Sequence, residues 1–192
     1  MGMAISNGTD VIGFLKAQHE QVKALFGQVL SSAGKERAQA FFTLRRMMAI
    51  HETAEEEIVH PAARRSVPGG DAIVDARLKE ENKAKKALAE LESMDLMSSQ
   101  FETKLRALQT DVLAHAESEE QQEFNQLATR LEPAVLAKMR RAVQLAESMA
   151  PTRPHAGIES QAANLLAGPF AAMLDRARDA LSGKTPKTEL PS

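Results

Sequence analysis

Two stretches of the chain alternate apolar and polar positions in the same rhythm. Leu44, Met48, His51, Glu55, Ile58 and Ala62 follow one another at steps of four, three, four, three and four, and Phe101, Leu105, Leu108, Val112, His115 and Glu119 repeat those steps. Stepping of this kind keeps residues on one face of an α-helix. Each run therefore predicts a long helix whose core-facing stripe carries an H-x-x-x-E pair, His51 with Glu55 and His115 with Glu119.

The same reading places further helices on either side. A cap at Thr9 or Asp10 opens a first helix to about residue 31, with Val11, Leu15, His19, Val22, Phe26 and Val29 on its apolar face. The second helix spans about residues 35–65, and Pro61 near its end predicts a kink or a stop. Val67-Pro68-Gly69-Gly70 is a turn, with Asp71 as the next cap, and a third helix over 71–93 aligns Val74, Leu78, Glu81, Leu88 and Leu91. Ser99 with Glu102 predicts a capping box for a fourth helix running to about residue 131. Four long helices with short links predict an all-α, up-down-up-down four-helix bundle. Pro133 starts a fifth helix striped by Val135, Met139, Val143 and Ala146. Residues 1–150 thus form one helical bundle, while 151–192 read as a Pro-flanked linker, an amphipathic helical segment over 158–181 split at Gly168-Pro169, and a disordered end.

Composition narrows the function classes. With 43% apolar and 26% charged residues, the chain fits one well-buried domain plus an appendage. The formal net charge of −2 argues against a nucleic-acid binder. Absence of Cys removes disulfides, zinc knuckles and thiol relays, and absence of Tyr removes a tyrosyl radical. No stretch reads as a signal segment and no apolar run reaches the roughly 18 residues of a membrane span, so the expectation is a cytoplasmic protein with no membrane partner.

Burying a His and a Glu is costly unless something partners them. Residues four apart on a helix rise about 6 Å along one face, within reach of one ion or an ion pair. His19 adds a third imidazole from the first helix, and Glu81 is the residue of the third helix in register. The candidate metal ligands are therefore His19, His51, Glu55, Glu81, His115 and Glu119, a shell suited to a dinuclear site with an open position. Two of these have plain structural readings: His19 as a hydrogen-bonded core histidine, and Glu81 as a rim residue pairing with Lys85. His60, nine residues after His51, falls half a turn away and is expected to face solvent or the later helices. Glu52, Glu56 and Glu57 read as a solvated face, and the path of His155 is not predicted. The Glu-x-x-His order of ferritin-like bundles occurs once, at Glu57 to His60, and the zinc-protease string H-E-x-x-H is absent.

Taken together, His19, the His51 to Glu55 pair leading into Glu56-Glu57-Ile58-Val59-His60-Pro61, and the His115 to Glu119 pair resemble the hemerythrin-like (HHE cation-binding) family over about residues 9–131. The resemblance implies a hemerythrin-like bundle holding two iron ions, an oxo- or hydroxo-bridged di-iron centre. It also implies that Glu55 and Glu119 bridge the irons while His51 and His115 bind terminally. The third helix departs from the family pattern, reading Glu80-Glu81-Asn82 where the family usually carries His. A site richer in carboxylate favours the ferric state, which points away from reversible oxygen carriage. The leading expectation is a bacterial-type non-heme di-iron protein that meets a small ligand (peroxide, oxygen or nitric oxide), in redox sensing or in catalase-like or oxidase-like turnover. A non-catalytic iron or cation binder and a helical interaction module are the alternatives, and the chain is expected as a monomer or homodimer. The amphipathic segment, with Asp175, Arg176, Arg178 and Asp179 on its polar face, reads as bundle cover or a dimer contact.

Overall fold

In the computed structural model the described residues are 10–149. The expected tail over 151–192, with its amphipathic segment and His155, lies outside them. Five rods follow one another: α1 (Val11–Ser31); α2 (Gly34–Ala54), continued by a π-helical turn (Glu55–Val59) and α3 (His60–Ser66); α4 (Gly70–Glu92); α5 (Ser99–Glu119), continued by a second π-helical turn (Glu120–Phe124) and α6 (Asn125–Arg130); and α7 (Pro133–Met149). The first four rods form the up-down-up-down bundle. α7 packs against α1 and α2.

The ends of the rods show why each begins where it does. Asp10 caps α1, its Oδ1 accepting from the Gly13 N–H at 2.9 Å. The cap of α5 falls on Ser98 rather than Ser99: its Oγ accepts from the Phe101 N–H at 3.1 Å, and Glu102 binds Arg106 instead of completing a box. Asp71 is likewise not a cap. Gly69, at φ +70°, turns the chain into α4, and Asp71 pairs with Arg64 at 3.0 Å. The tight entry demands glycine at the next position, because a Cβ on Gly70 would sit 2.4 Å from the Ala63 carbonyl oxygen.

A hydrophobic core fills one half of the bundle. Phe26, Phe41, Leu44, Leu88, Phe101 and Leu105 are buried together there, with the Phe41 and Phe101 rings edge to face at 5.2 Å. Helical stepping continues the same stripes into the other half, where His19, His51, Glu55, Glu81 and Glu119 take core positions.

The two π-helical turns change which residues join them. The His60 N–H bonds to the Glu55 carbonyl and the Asn125 N–H to the Glu120 carbonyl, five residues back in each case. Pro61 gives the first turn a cause: in a continuous α-helix its ring would strike the carbonyl four residues earlier, and a widened turn relieves that clash. The widened turn absorbs one residue of the helical count. His60 is therefore only 2% exposed; of the two expectations, solvent or the later helices, the first is corrected, because the ring faces inward to Glu81 and Glu123 of the later rods. Glu52 is also buried rather than solvated, 3.6 Å from the Lys85 ammonium. Glu56 and Glu57 are half-buried, and Glu56 pairs with Lys85.

Candidate metal centre

Three imidazoles are held in one pattern, each anchored through Nδ1 by a group from a neighbouring helix. The His19 Nδ1–H donates to Glu120 at 2.9 Å, the His51 Nδ1–H to the Gln18 side-chain oxygen at 2.8 Å, and the His115 Nδ1–H to Glu80 at 2.9 Å. These anchors are themselves held. Lys16 lies 3.4 Å from Glu120, Arg77 donates to Glu80 at 2.8 Å, and the Gln18 amide donates to Glu147 of α7 at 2.5 Å. Because the Gln18 NH2 group is committed to a carboxylate, its oxygen must accept from His51, which fixes the Nδ1–H tautomer. Each ring then turns its Nε2 inward, the arrangement in which an outer partner orients a metal-binding histidine.

The inward atoms converge on buried carboxylates. Three groups, each with its donor atoms within 4.8 Å of one another, share Glu119: His19, His51 and Glu55; Glu81 and His115; and His60 and Glu123. His51 Nε2 lies 3.2 Å from Glu55, His19 Nε2 3.4 Å and His115 Nε2 3.3 Å from Glu119, and the His19 and His51 Nε2 atoms face each other at 3.1 Å. Two ligands about 2.1 Å from a common ion and 90–109° apart stand about 3.0–3.4 Å from each other. The observed spacings fall in that interval.

Buried atoms without hydrogen bonds make the same point. Both oxygens of Glu55 and of Glu119, and Nε2 of His115, have no hydrogen-bond partner, although Glu55 and Glu119 are 0% exposed. Glu119 approaches His19 and His115 closely enough for charge attraction, but the atoms are misaligned for hydrogen bonding. Leaving such groups unsatisfied costs about 1–3 kcal/mol each, a cost that metal coordination removes. Charge agrees: Glu55, Glu81, Glu119 and Glu123 bring four negative charges to neutral imidazoles, matched by two divalent cations. The donor set fits a dinuclear centre.

Without metal, protons fill the role. Burial, and then the neighbouring Glu119, Glu81 and Glu123, push Glu55 well above the usual carboxylate range. Burial also raises Glu52 to about 8 and Glu81 to about 7. Burial and the adjacent His19 lower His51 to about 3, so it is neutral. For His60 and His115 burial works downward but is outweighed, by hydrogen bonds to Glu123 and Glu81 in the first and by Glu119 in the second, raising them to about 10 and about 9. Glu119, despite burial, is held well below its ordinary value by His115 and His19.

A cavity of about 190 Å³ reaches this cluster from one side. His19, His51 and His115 line its polar wall, and Val22, Met48 and Val112 its apolar one. Glu55, Glu119, His60 and Glu123 do not border it, and Phe124 stacks flat on His19 at 5.6 Å. Its size suits a small molecule, since an engineered cavity of about 150 Å³ holds benzene.

All six residues singled out in the sequence, His19, His51, Glu55, Glu81, His115 and Glu119, lie in this one cluster. Glu81 has both partners considered for it, with His60 at 2.8 Å and Lys85 at 3.7 Å. Glu55 groups only with His19, His51 and Glu119, whereas Glu119 belongs to every group. Sequence reasoning missed His60, Glu123 and the anchors Gln18, Glu80, Glu120 and Glu147. Glu123 carried a usable signal, four residues after Glu119 on the same helical face.

Comparison with known proteins agrees with this architecture. The model of the hemerythrin HHE cation binding domain matches residues 10–127. A DNA nickase from Nostoc sp. is 23% identical over 137 residues, covering 68% of this chain and 38% of the nickase. The chain thus spans under two-fifths of that relative. The crystal structure of a hemerythrin HHE cation binding domain-containing protein from Mycobacterium kansasii superimposes with a TM-score of 0.65 at 19% identity, covering 88% of this chain and 98% of the other.

Proposed function

Because the chain belongs to the hemerythrin HHE cation binding domain family, we propose that its buried cluster holds two iron ions beside a cavity that admits a small oxidant. Peroxide, oxygen and nitric oxide are the candidate ligands, with redox sensing or peroxide handling favoured over oxygen transport. The observation that carries the reading is the convergence of three anchored Nε2 atoms on buried, unpartnered carboxylate oxygens. His19, His51, Glu55 and Glu119 would hold one ion, and Glu81, His115 and Glu119 the other. An iron pair so held supplies an open coordination position and a reversible ferrous–ferric couple.

The chain's own residues supply the remainder. The Nδ1 anchors hold each imidazole turned so that its Nε2 faces the cluster. The apolar cavity wall limits water beside the cluster and favours small, weakly hydrated ligands. Carboxylates at Glu55, Glu81, Glu119 and Glu123 stabilise the higher iron charge, which supports reaction or sensing over reversible carriage. The DNA nickase activity in the name of the Nostoc relative is not carried over, because the match covers 38% of it and a formal net charge of −2 supplies no cation excess for a phosphate backbone.

Elemental analysis with an ultraviolet–visible spectrum tests the proposal. About two irons per folded chain, near-ultraviolet oxo-to-iron absorption, and peroxide loss that scales with iron content are expected. A folded chain that takes up no iron would refute it.

A further inference from the structure

The third helix of the bundle, α4, carries no histidine, and Glu81 is the residue it brings to the cluster. Beside Glu81 lies His60, brought inward by the first π-helical turn. Its Nδ1–H donates to Glu123 at 2.9 Å and its Nε2 points at Glu81 at 2.8 Å. This is the pattern of His19, His51 and His115: Nδ1 held by an acceptor from another helix, Nε2 aimed at a buried carboxylate.

We infer that His60 is a fourth imidazole ligand, binding through Nε2 at the metal position of Glu81, His115 and Glu119, with Glu123 as its positioning carboxylate. The inference rests on the dinuclear reading and goes beyond it by assigning a further imidazole, from the α2–α3 rod, beside the Glu81 carboxylate of α4.

Three observations support it. His60 and Glu123 are 2% and 0% exposed, so neither is a surface ion pair. One oxygen of Glu81 and one of Glu123 lack hydrogen-bond partners, leaving acceptor capacity on both sides of the imidazole. His60 and Glu123 also form a potential ligand group with Glu119, the carboxylate common to every group. The 2.8 Å separation from Glu81 is now spanned by a hydrogen bond. Replacing that bond with an ion requires the pair to open by only a few tenths of an ångström, to about 3.0–3.4 Å.

The experiment uses the full chain, stripped of metal and titrated with Zn²⁺ or anaerobic Fe²⁺. Wild type is expected to bind two ions. His60→Gln should keep one and bind the second at least about a hundredfold more weakly, while Glu123→Gln should weaken it about 10–100-fold, the effect of losing an orienting partner. Nitrogen-15 spectra of the Zn²⁺-loaded wild type supply a readout independent of any variant: His60 Nε2 should carry metal and Nδ1 a proton. A His60 ring protonated on both nitrogens in the loaded protein, or unchanged affinity for two ions in folded His60→Gln, would overturn this assignment alone. Wild type that binds no metal would overturn the dinuclear reading itself.

Discussion

Replacing Glu55 with methionine should stabilise the metal-free protein while weakening its hold on metal. Glu55 is completely buried, and neither of its oxygens has a hydrogen-bond partner. Its carboxyl is pushed toward the neutral form by burial and by Glu119, Glu81 and Glu123. The nearest base, His51 at 3.2 Å, is itself lowered to about 3, so the substitution breaks no ion pair at neutral pH. Methionine matches glutamate in length and in its unbranched shape, and its flexible thioether tolerates an irregular site. Removing the unsatisfied group should return about 1–3 kcal/mol. For a protein of this size, at about 2–4 °C per kcal/mol, that raises Tm by about 2–12 °C. The assay is thermal and urea unfolding of chelator-treated wild type and Glu55→Met at pH 7, repeated with Zn²⁺. Added Zn²⁺ at a hundred times Kd should stabilise wild type by about 2.7 kcal/mol, and the variant by much less. A metal-free Glu55→Met protein less stable than wild type by more than about 1 kcal/mol would refute the reasoning, because it would mean that Glu55 makes net favourable contacts without an ion.

The pH dependence of the metal-free and loaded proteins should oppose each other on the alkaline side. His60 and His115 are raised to about 10 and about 9, so their contribution is complete below the unfolded value of 6.5 and is lost as pH rises through those values. Glu81 and Glu52, raised to about 7 and about 8, lose theirs in the same direction, so metal-free stability measured by urea unfolding should fall from pH 6.5 to 10. On the acid side His51 is lowered to about 3, and its contribution, present above 6.5, is lost as pH falls toward 3. Zn²⁺ affinity should instead rise with pH, because the ion replaces those protons, and a calorimetric affinity that fell between pH 6 and 8 would contradict this. Gly70→Ala should cost about 1–3 kcal/mol in urea unfolding, since its Cβ would meet the Ala63 carbonyl at 2.4 Å. Gly27→Ala, with nothing within 4 Å of its Cβ, should instead gain about 0.5–1 kcal/mol.

The fold was legible because its signal is redundant. The same three-and-four stepping runs through every rod, so misplacing a cap from Ser98 to Ser99, or from Gly69 to Asp71, leaves the buried face unchanged. His60 was not legible by that method. Periodicity assumes about 3.6 residues per turn, and one widened turn rotates everything after it. Pro61 held the missing clue, since a proline inside a continuing helix must be relieved by the turn before it. The anchoring groups follow a rule that stepping along one face overlooks. Gln18, Glu80 and Glu120 are the immediate chain neighbours of His19, Glu81 and Glu119, and each grips a histidine on an adjacent helix. Neighbours on a helix diverge by about 100°, enough to leave the stripe of the ligand and reach the next rod.

The Gln18 bridge has a consequence for α7. The family match ends at residue 127 and α7 begins at Pro133, yet Glu147 of α7 holds the amide that turns His51 toward the metal position. Docking of α7 and occupancy of the His51 side of the centre are therefore linked equilibria, and linkage is reciprocal. Whatever factor α7 docking adds to metal affinity, metal must return as the same factor in α7 docking. Slower amide exchange along α7 on loading would report occupancy of a centre to which α7 contributes none of the candidate ligands among the described residues, and a partner that pulled α7 away would loosen the metal to the same degree.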